Sequence, residues 1–170
     1  MRSLLAIVPA LLGGGPADAA SLSAHDLQVL GRALAFAQPA PSGTQTLAIA
    51  YDSGNPASRG DAEALARLIG NGLRAGAAVL QPRLVDTASL AAGGFAVVLA
   101  AEGAAGEPVQ AATRREKVLC VTADFAAVQA GSCVMAIRSE PRVEILVNHA
   151  AAAAAGIEFA AAFRMMIREI

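Results

Sequence analysis

The chain has 170 residues, a formal charge of -1 and a sequence pI near 6.1. That balance supplies no basic field for a phosphate backbone, and no Trp with a single Tyr (Tyr51) leaves few platforms for stacking, so the composition argues against nucleic acid as a partner. The hydrophobic fraction of 55% and mean hydropathy of +0.51 rest largely on alanine, which buries little area.

Met1, Arg2 and Ser3 precede an apolar run from Leu4 to Leu12, a breaker from Gly13 to Pro16, and small residues at Ala17 and Ala19. This layout predicts a secretory signal peptide over residues 1–19, too short in its apolar core to span a bilayer. Residues 20–170 are then read as one domain of about 150 residues, long enough for a single core.

Ser23 is placed to cap a first helix whose apolar residues Leu27, Leu30, Leu34 and Ala37 share one face, ending near Pro39. Thr46 to Tyr51 reads as an inner strand, broken by Asp52-Ser53-Gly54-Asn55-Pro56. From Ser58 to Leu73 a second helix is predicted by Ala62, Leu65, Ala66, Ile69 and Leu73, with Glu63 and Arg67 on its wet side. Val79 to Val85 is a strand, Thr87 to Leu90 a helical turn, and Phe95 to Ala100 a buried strand. Pro108 to Glu116 forms a third helix with Arg114, Arg115 and Lys117 at its carboxyl end, and Val118 to Thr122 follows as another buried strand.

After a short turn from Phe125 to Gln129 capped by Asp124 and Thr122, the grammar changes. Cys133 to Ile137 and Val143 to Val147 flank Ser139-Glu140-Pro141-Arg142, a hairpin loop. Asn148 caps a helix through the alanine run, Gly156 interrupts it, and Phe159, Phe163, Met166, Ile167 and Ile170 are spaced as the apolar stripe of a closing helix. Strands separated by helices predict an α/β, three-layer, open and mostly parallel sheet (Rossmann-like), here with an antiparallel hairpin near the carboxyl terminus.

Cys120 and Cys133 sit in strand-like runs of a chain read as bound for an oxidising compartment, which favours a disulfide over two buried free thiols. No metal is expected, because only His25 and His149 remain to join them and neither has ligand spacing. Tyr51, Asp52, Ser53 and Asn55 lie where the first inner strand meets its helix, and Glu102 follows a strand at the same sheet edge, the edge where open α/β sheets bind ligands. These five are the candidate small-molecule site. The other reading makes Asp52 and Asn55 turn and capping residues. The glycine spacing there matches neither a dinucleotide fingerprint nor a P-loop, no cofactor is implied, and Ser53-Gly54 and Gly131-Ser132 lack a nucleophile-elbow context. Arg164, Met165 and Met166 are a candidate partner-binding stripe, since Met surfaces adapt to other proteins; packing into the core is the simpler account.

Val118-Leu119-Cys120-Val121-Thr122-Ala123-Asp124-Phe125, then Val128 and Gly131, a hairpin ending in Val143-Glu144-Ile145, Asn148 with Ala150 and Ala151, and Gly156 before the final segment resemble the YfiR-like periplasmic proteins. Leu30, Phe36 and Pro39 before the Leu47 to Tyr51 strand are similar to that family's opening. The resemblance implies an exported, periplasmic, non-enzymatic regulator, often a homodimer, that acts on an inner-membrane signalling partner such as a diguanylate cyclase or a sensor kinase. It also implies redox-sensitive disulfides. A second expectation comes from Ala48 to Ala66, which also looks like the start of one lobe of a periplasmic solute-binding protein and points to a small-molecule ligand.

Overall fold

Ser23 opens the first helix, α1 (Ala24–Leu34), in the computed structural model, which describes residues 21–170. The signal-peptide reading of residues 1–19 lies outside the described residues. The Ser23 hydroxyl accepts from the Asp26 amide while the Asp26 carboxylate accepts from the Ser23 amide, so two donors of the first turn are satisfied reciprocally. Leu27, Leu30 and Leu34 are buried as the spacing predicts. Gly31 shares their face, and a Cβ there would overlap the carbonyl oxygen of Arg74, so only glycine lets the helix pack this close.

Ala37 does not continue α1. It lies in β1 (Ala37–Gln38), after which come β2 (Gly43–Tyr51), α2 (Pro56–Ile69), β3 (Leu73–Ala75) and β4 (Ala78–Asp86). Leu73, expected on α2, is likewise in a strand, because Gly70 at φ 59° ends the helix. On α2 the ion pair of Glu63 is with Arg59 at 3.1 Å. A 3₁₀ turn (Thr87–Ala92) leads to β5 (Val97–Ala100), α3 (Glu107–Glu116), β6 (Leu119–Thr122), α4 (Phe125–Gln129), β7 (Met135–Arg138) and β8 (Glu144–Val147). The chain closes with α5 (His149–Ala154), β9 (Glu158–Phe159), α6 (Ala161–Arg164) and β10 (Arg168–Glu169).

Among the described residues the main sheet has eight strands in the order β10-β8-β7-β6-β5-β2-β4-β3. Pairing is parallel from β4 through β2, β5, β6 and β7 and between β8 and β10, and antiparallel for β3 with β4 and for the β7–β8 hairpin. Leu47 to Ala50, Val97 to Ala100 and Leu119 to Thr122 are buried throughout, which requires cover on both faces. The chain steps from β2 to β4 in one direction and then from β4 back past β2 to β5, β6 and β7 in the other. Right-handed crossovers therefore place α2 on one face and the 3₁₀ turn, α3 and α4 on the other. Accordingly α1 touches α2, and α3 packs on the 3₁₀ turn. The result is a three-layer α/β fold with an antiparallel hairpin, as the sequence predicts.

Cys120 of β6 and Cys133, just before β7, form a disulfide with Cα atoms 5.2 Å apart, and both residues are buried. Free thiols are thereby ruled out in this structure.

The closing helix is the principal correction. Gly156 at φ 67° ends α5, and the stripe from Phe159 to Ile170 is divided among β9, a single turn of α6 and β10. Tertiary partners decide this. β9 pairs antiparallel with β1, the Ala160 amide donates to the Phe36 carbonyl at 3.0 Å, and β10 lies parallel to β8. Phe163 stacks on Phe36 with ring centroids 5.4 Å apart and tilts against Phe159 at 5.3 Å. This aromatic cluster takes the area a helix would have buried.

Candidate functional site

Because the chain leaves β2 for one face and β5 for the other, a topological switch point opens at the carboxyl ends of these two strands. There the structure brings the Tyr51–Asn55 turn beside the loop that starts at Glu102. The Ala101 amide donates to the Ala50 carbonyl at 3.0 Å, and the Glu102 amide donates to Asp61 Oδ2 at 2.8 Å. Gly103, at φ 69°, leaves room for Asn55, whose Nδ2 would stand 3.0 Å from any Cβ placed there.

The polar atoms of the turn hold the turn itself. The Asp52 amide donates to the buried Ser58 hydroxyl at 3.0 Å, Asp52 Oδ1 accepts from the Gly54 amide at 2.9 Å, and Asn55 Oδ1 accepts from the Ala57 amide at 3.1 Å as the cap of α2. Ser53 hydrogen-bonds Asp86 at the end of β4, which with the Ala88 amide holds that carboxyl below its ordinary range. The Arg59 guanidinium lies 5.8 Å from the Tyr51 ring centroid. The five sequence-predicted residues thus share one edge, and Asp52 and Asn55 do there what the turn-and-cap reading says.

Ser58, Asp61 and Asp86 complete this edge and were not singled out from sequence. Asp61 joins it through the Glu102 amide and the Ser21 hydroxyl, partners 41 and 40 residues away, so no local pattern carries the signal. Ser58 had one clue, a small hydroxyl in the first turn of α2. Further along the same edge, Thr122 Oγ1 accepts from the Asp124 amide, and Asp124 Oδ1 accepts from the amides of Ala126 and Ala127. These residues cap α4 as expected.

His25 and His149 are both exposed in the first turns of their helices. Among the described residues, no group of three or more His, Cys, Asp or Glu side chains is placed to hold a metal ion. Nor is any described helix long and apolar enough to cross a membrane.

Arg164 forks onto Glu169 through two bonds of 2.9 and 2.8 Å, which raises the guanidinium and lowers the carboxyl from their ordinary values. Met165 is 88% and Met166 67% exposed, and Ile170 beside them is half exposed. Core packing, the simpler account of these methionines, is therefore overturned: Phe163 and Phe159 occupy the core in their place.

Two cavities lie away from the switch point. A cavity of about 560 Å³ opens at the amino edge of the sheet, among Leu34, Pro39, Phe95, Lys117, Val118 and Ile157. A second, of about 480 Å³, lies against the closing segment between His149, Phe159, Arg164 and Glu169. Comparison with protein-family models and with curated proteins finds no match to this chain.

Proposed function

We propose that this chain is an exported, non-enzymatic regulatory or adaptor domain that binds a membrane signalling protein in the periplasm, either a diguanylate cyclase or a sensor kinase. The observation that carries the reading is the Met165–Met166 surface. Two large, flexible apolar side chains stand in solvent on a short segment tied down by the Arg164–Glu169 fork and the β8–β10 pairing. Holding such side chains exposed without packing them suits a surface that meets a partner. The buried disulfide is compatible with an oxidising compartment, and the resemblance to YfiR-like proteins supports the choice of partner class.

The test compares membrane pull-downs by the wild-type protein and by a Met165→Lys, Met166→Lys double variant. The expected result is an inner-membrane cyclase or kinase enriched by the first and lost by the second, with the thermal midpoint unchanged. Equal recovery by both forms, or no specific membrane protein with either, overturns the reading.

A second reading, a periplasmic small-molecule-binding domain related to one lobe of a solute-binding protein, draws support from the gathering of Tyr51, Asp52, Ser53, Asn55 and Glu102 at the switch point. Thermal-shift screening with amino acids, nucleotides and sugars separates the two, and a flat response to all of them sinks the second.

A further inference from the structure

We propose that the cavity at the amino edge of the sheet is a binding site for a small amphipathic carboxylate, its apolar body inside and its carboxylate on Lys117. This site is distinct from both the switch point and the methionine surface.

The cavity arises from strand stagger. β2 begins at Gly43, but β5 joins it only at the Leu47–Val97 pair and β6 begins opposite Val97 at Leu119, so the first residues of β2 overhang their neighbours. The bend at Pro39 and Pro41 and the segment before β5 enclose the space that remains. Its volume of about 560 Å³ falls within the roughly 300–1,000 Å³ of small-molecule sites. The wall includes Leu34, Phe95, Val97, Val118, Leu119 and Ile157, all buried and apolar. These side chains suit a hydrocarbon body, while Gln45 and Thr46 of β2 add polar groups on one side.

Charge at the rim selects the head group. Glu116 and Lys117 both border the cavity at the end of α3. The Glu116 carboxylate already accepts from Arg115 Nε at 2.9 Å. Lys117 Nζ donates to the Ala154 carbonyl at 3.2 Å and forms no ion pair among the described residues. Among the described residues the rim thus presents one cation without an ion-pair partner beside the apolar side of the cavity. A single ammonium matches a carboxylate, whereas a phosphate dianion calls for several donors. The carboxyl end of α3 repels anions, so the head group depends on Lys117 for its place.

Octanoate titrated into the disulfide-bonded protein, followed by calorimetry and by amide chemical shifts, tests the proposal. Saturable binding is expected, with shifts confined to the cavity wall. Lys117→Met retains an unbranched side chain at the same left-handed position (φ 56°) and should weaken octanoate about fivefold, the scale of an exposed ion pair. On the wild-type protein, octanol should bind more weakly than octanoate by a similar factor, a comparison that needs no variant. No saturable binding, equal binding of octanol and octanoate, or shifts lying away from the cavity overturns the proposal.

Discussion

The two ends of the sheet are built on opposite plans. At the carboxyl edge, polar groups from β2, β4, β5, β6 and the helices after them bond to one another: Asp52 with Ser58 and Gly54, Asn55 with Ala57, Asp61 with Glu102, Asp124 with α4. At the amino edge, the apolar starts of β5 and β6 and the polar start of β2 surround an open cavity, with Lys117 at its rim outside any ion pair among the described residues. The difference teaches that sheet topology locates where polar loop residues gather, while packing decides where space is left. Donors already engaged by a turn are not free for a ligand.

If the carboxyl edge is a structural clasp, damage to it should cost stability in graded steps. The largest effect of all is expected away from that edge, at the disulfide, which ties the amino half of β6 to the entry of β7 across a sequence separation of 13. Replacing both Cys120 and Cys133 by alanine should lower unfolding free energy by about 3 kcal/mol in urea titrations. A loss within error would mean that strand packing alone holds these two neighbours together.

Ser58→Ala leaves the Asp52 amide without its partner, and Ser58 is fully buried. The expected cost is about 1–3 kcal/mol, read from the same titrations. A neutral result would show that the turn is held by its outer bonds alone, and would restore Asp52 as a residue free to serve a ligand.

A smaller effect is expected from Asp26, which faces the hairpin loop at the same end of the sheet. Burial alone would push its carboxyl up, but the nearby Ser139 and the Ser23 amide and hydroxyl, bonded to Oδ2 at 2.7 Å each, hold it below its ordinary range. The hydrogen bonds fall on Oδ2, from Ser23, while Asp26 Oδ1 and Ser139 Oγ are buried without a hydrogen-bond partner among the described residues. A carboxyl lowered on folding adds stability that is present above its unfolded pKa, about 4, and is lost as pH falls through the folded value. Thermal midpoints of the wild-type protein should therefore decline as the pH drops below about 4. In Asp26→Asn that contribution to the decline should be missing. Parallel profiles for the two proteins would remove Asp26 from the clasp.

The smallest change, and the only gain, belongs to the amino edge. Lys117 is the non-glycine residue with positive φ among those described, at 56°. Lys117→Gly should raise stability by about 0.5–1 kcal/mol, because glycine adopts the left-handed cap without the Cβ cost. A net loss would show that the bond from Lys117 Nζ to Ala154 does more for the fold than strain takes away.

Much of the architecture was legible because it is written in local terms. Apolar runs such as Val118 to Thr122 are short and rich in β-branched residues, which favours a buried strand, and Ser23, Asn55, Asp124 and Asn148 each cap the helix that follows. The candidate site was half legible. Tyr51 to Asn55 and Glu102 could be assigned to one edge from strand and loop order, whereas Ser58, Asp61 and Asp86 needed contacts that no window of sequence contains. The last fifteen residues failed for a definite reason. Phe159, Phe163 and Ile167 satisfy helical spacing, but each finds a better partner in Phe36, in the core or beside β8 than a continuous helix would give it.

By itself, the sequence determined the main helices and inner strands and the parallel sheet with its hairpin, because periodicity, turn residues and caps act within a few residues of one another. Only the tertiary structure decided the strand order, the breaking of the closing helix, the exposure of Met165 and Met166 and the cavity at the amino edge. All four depend on which distant surfaces compete for the same apolar area, and the stagger of strands that leaves a space between them is a property of the assembled sheet.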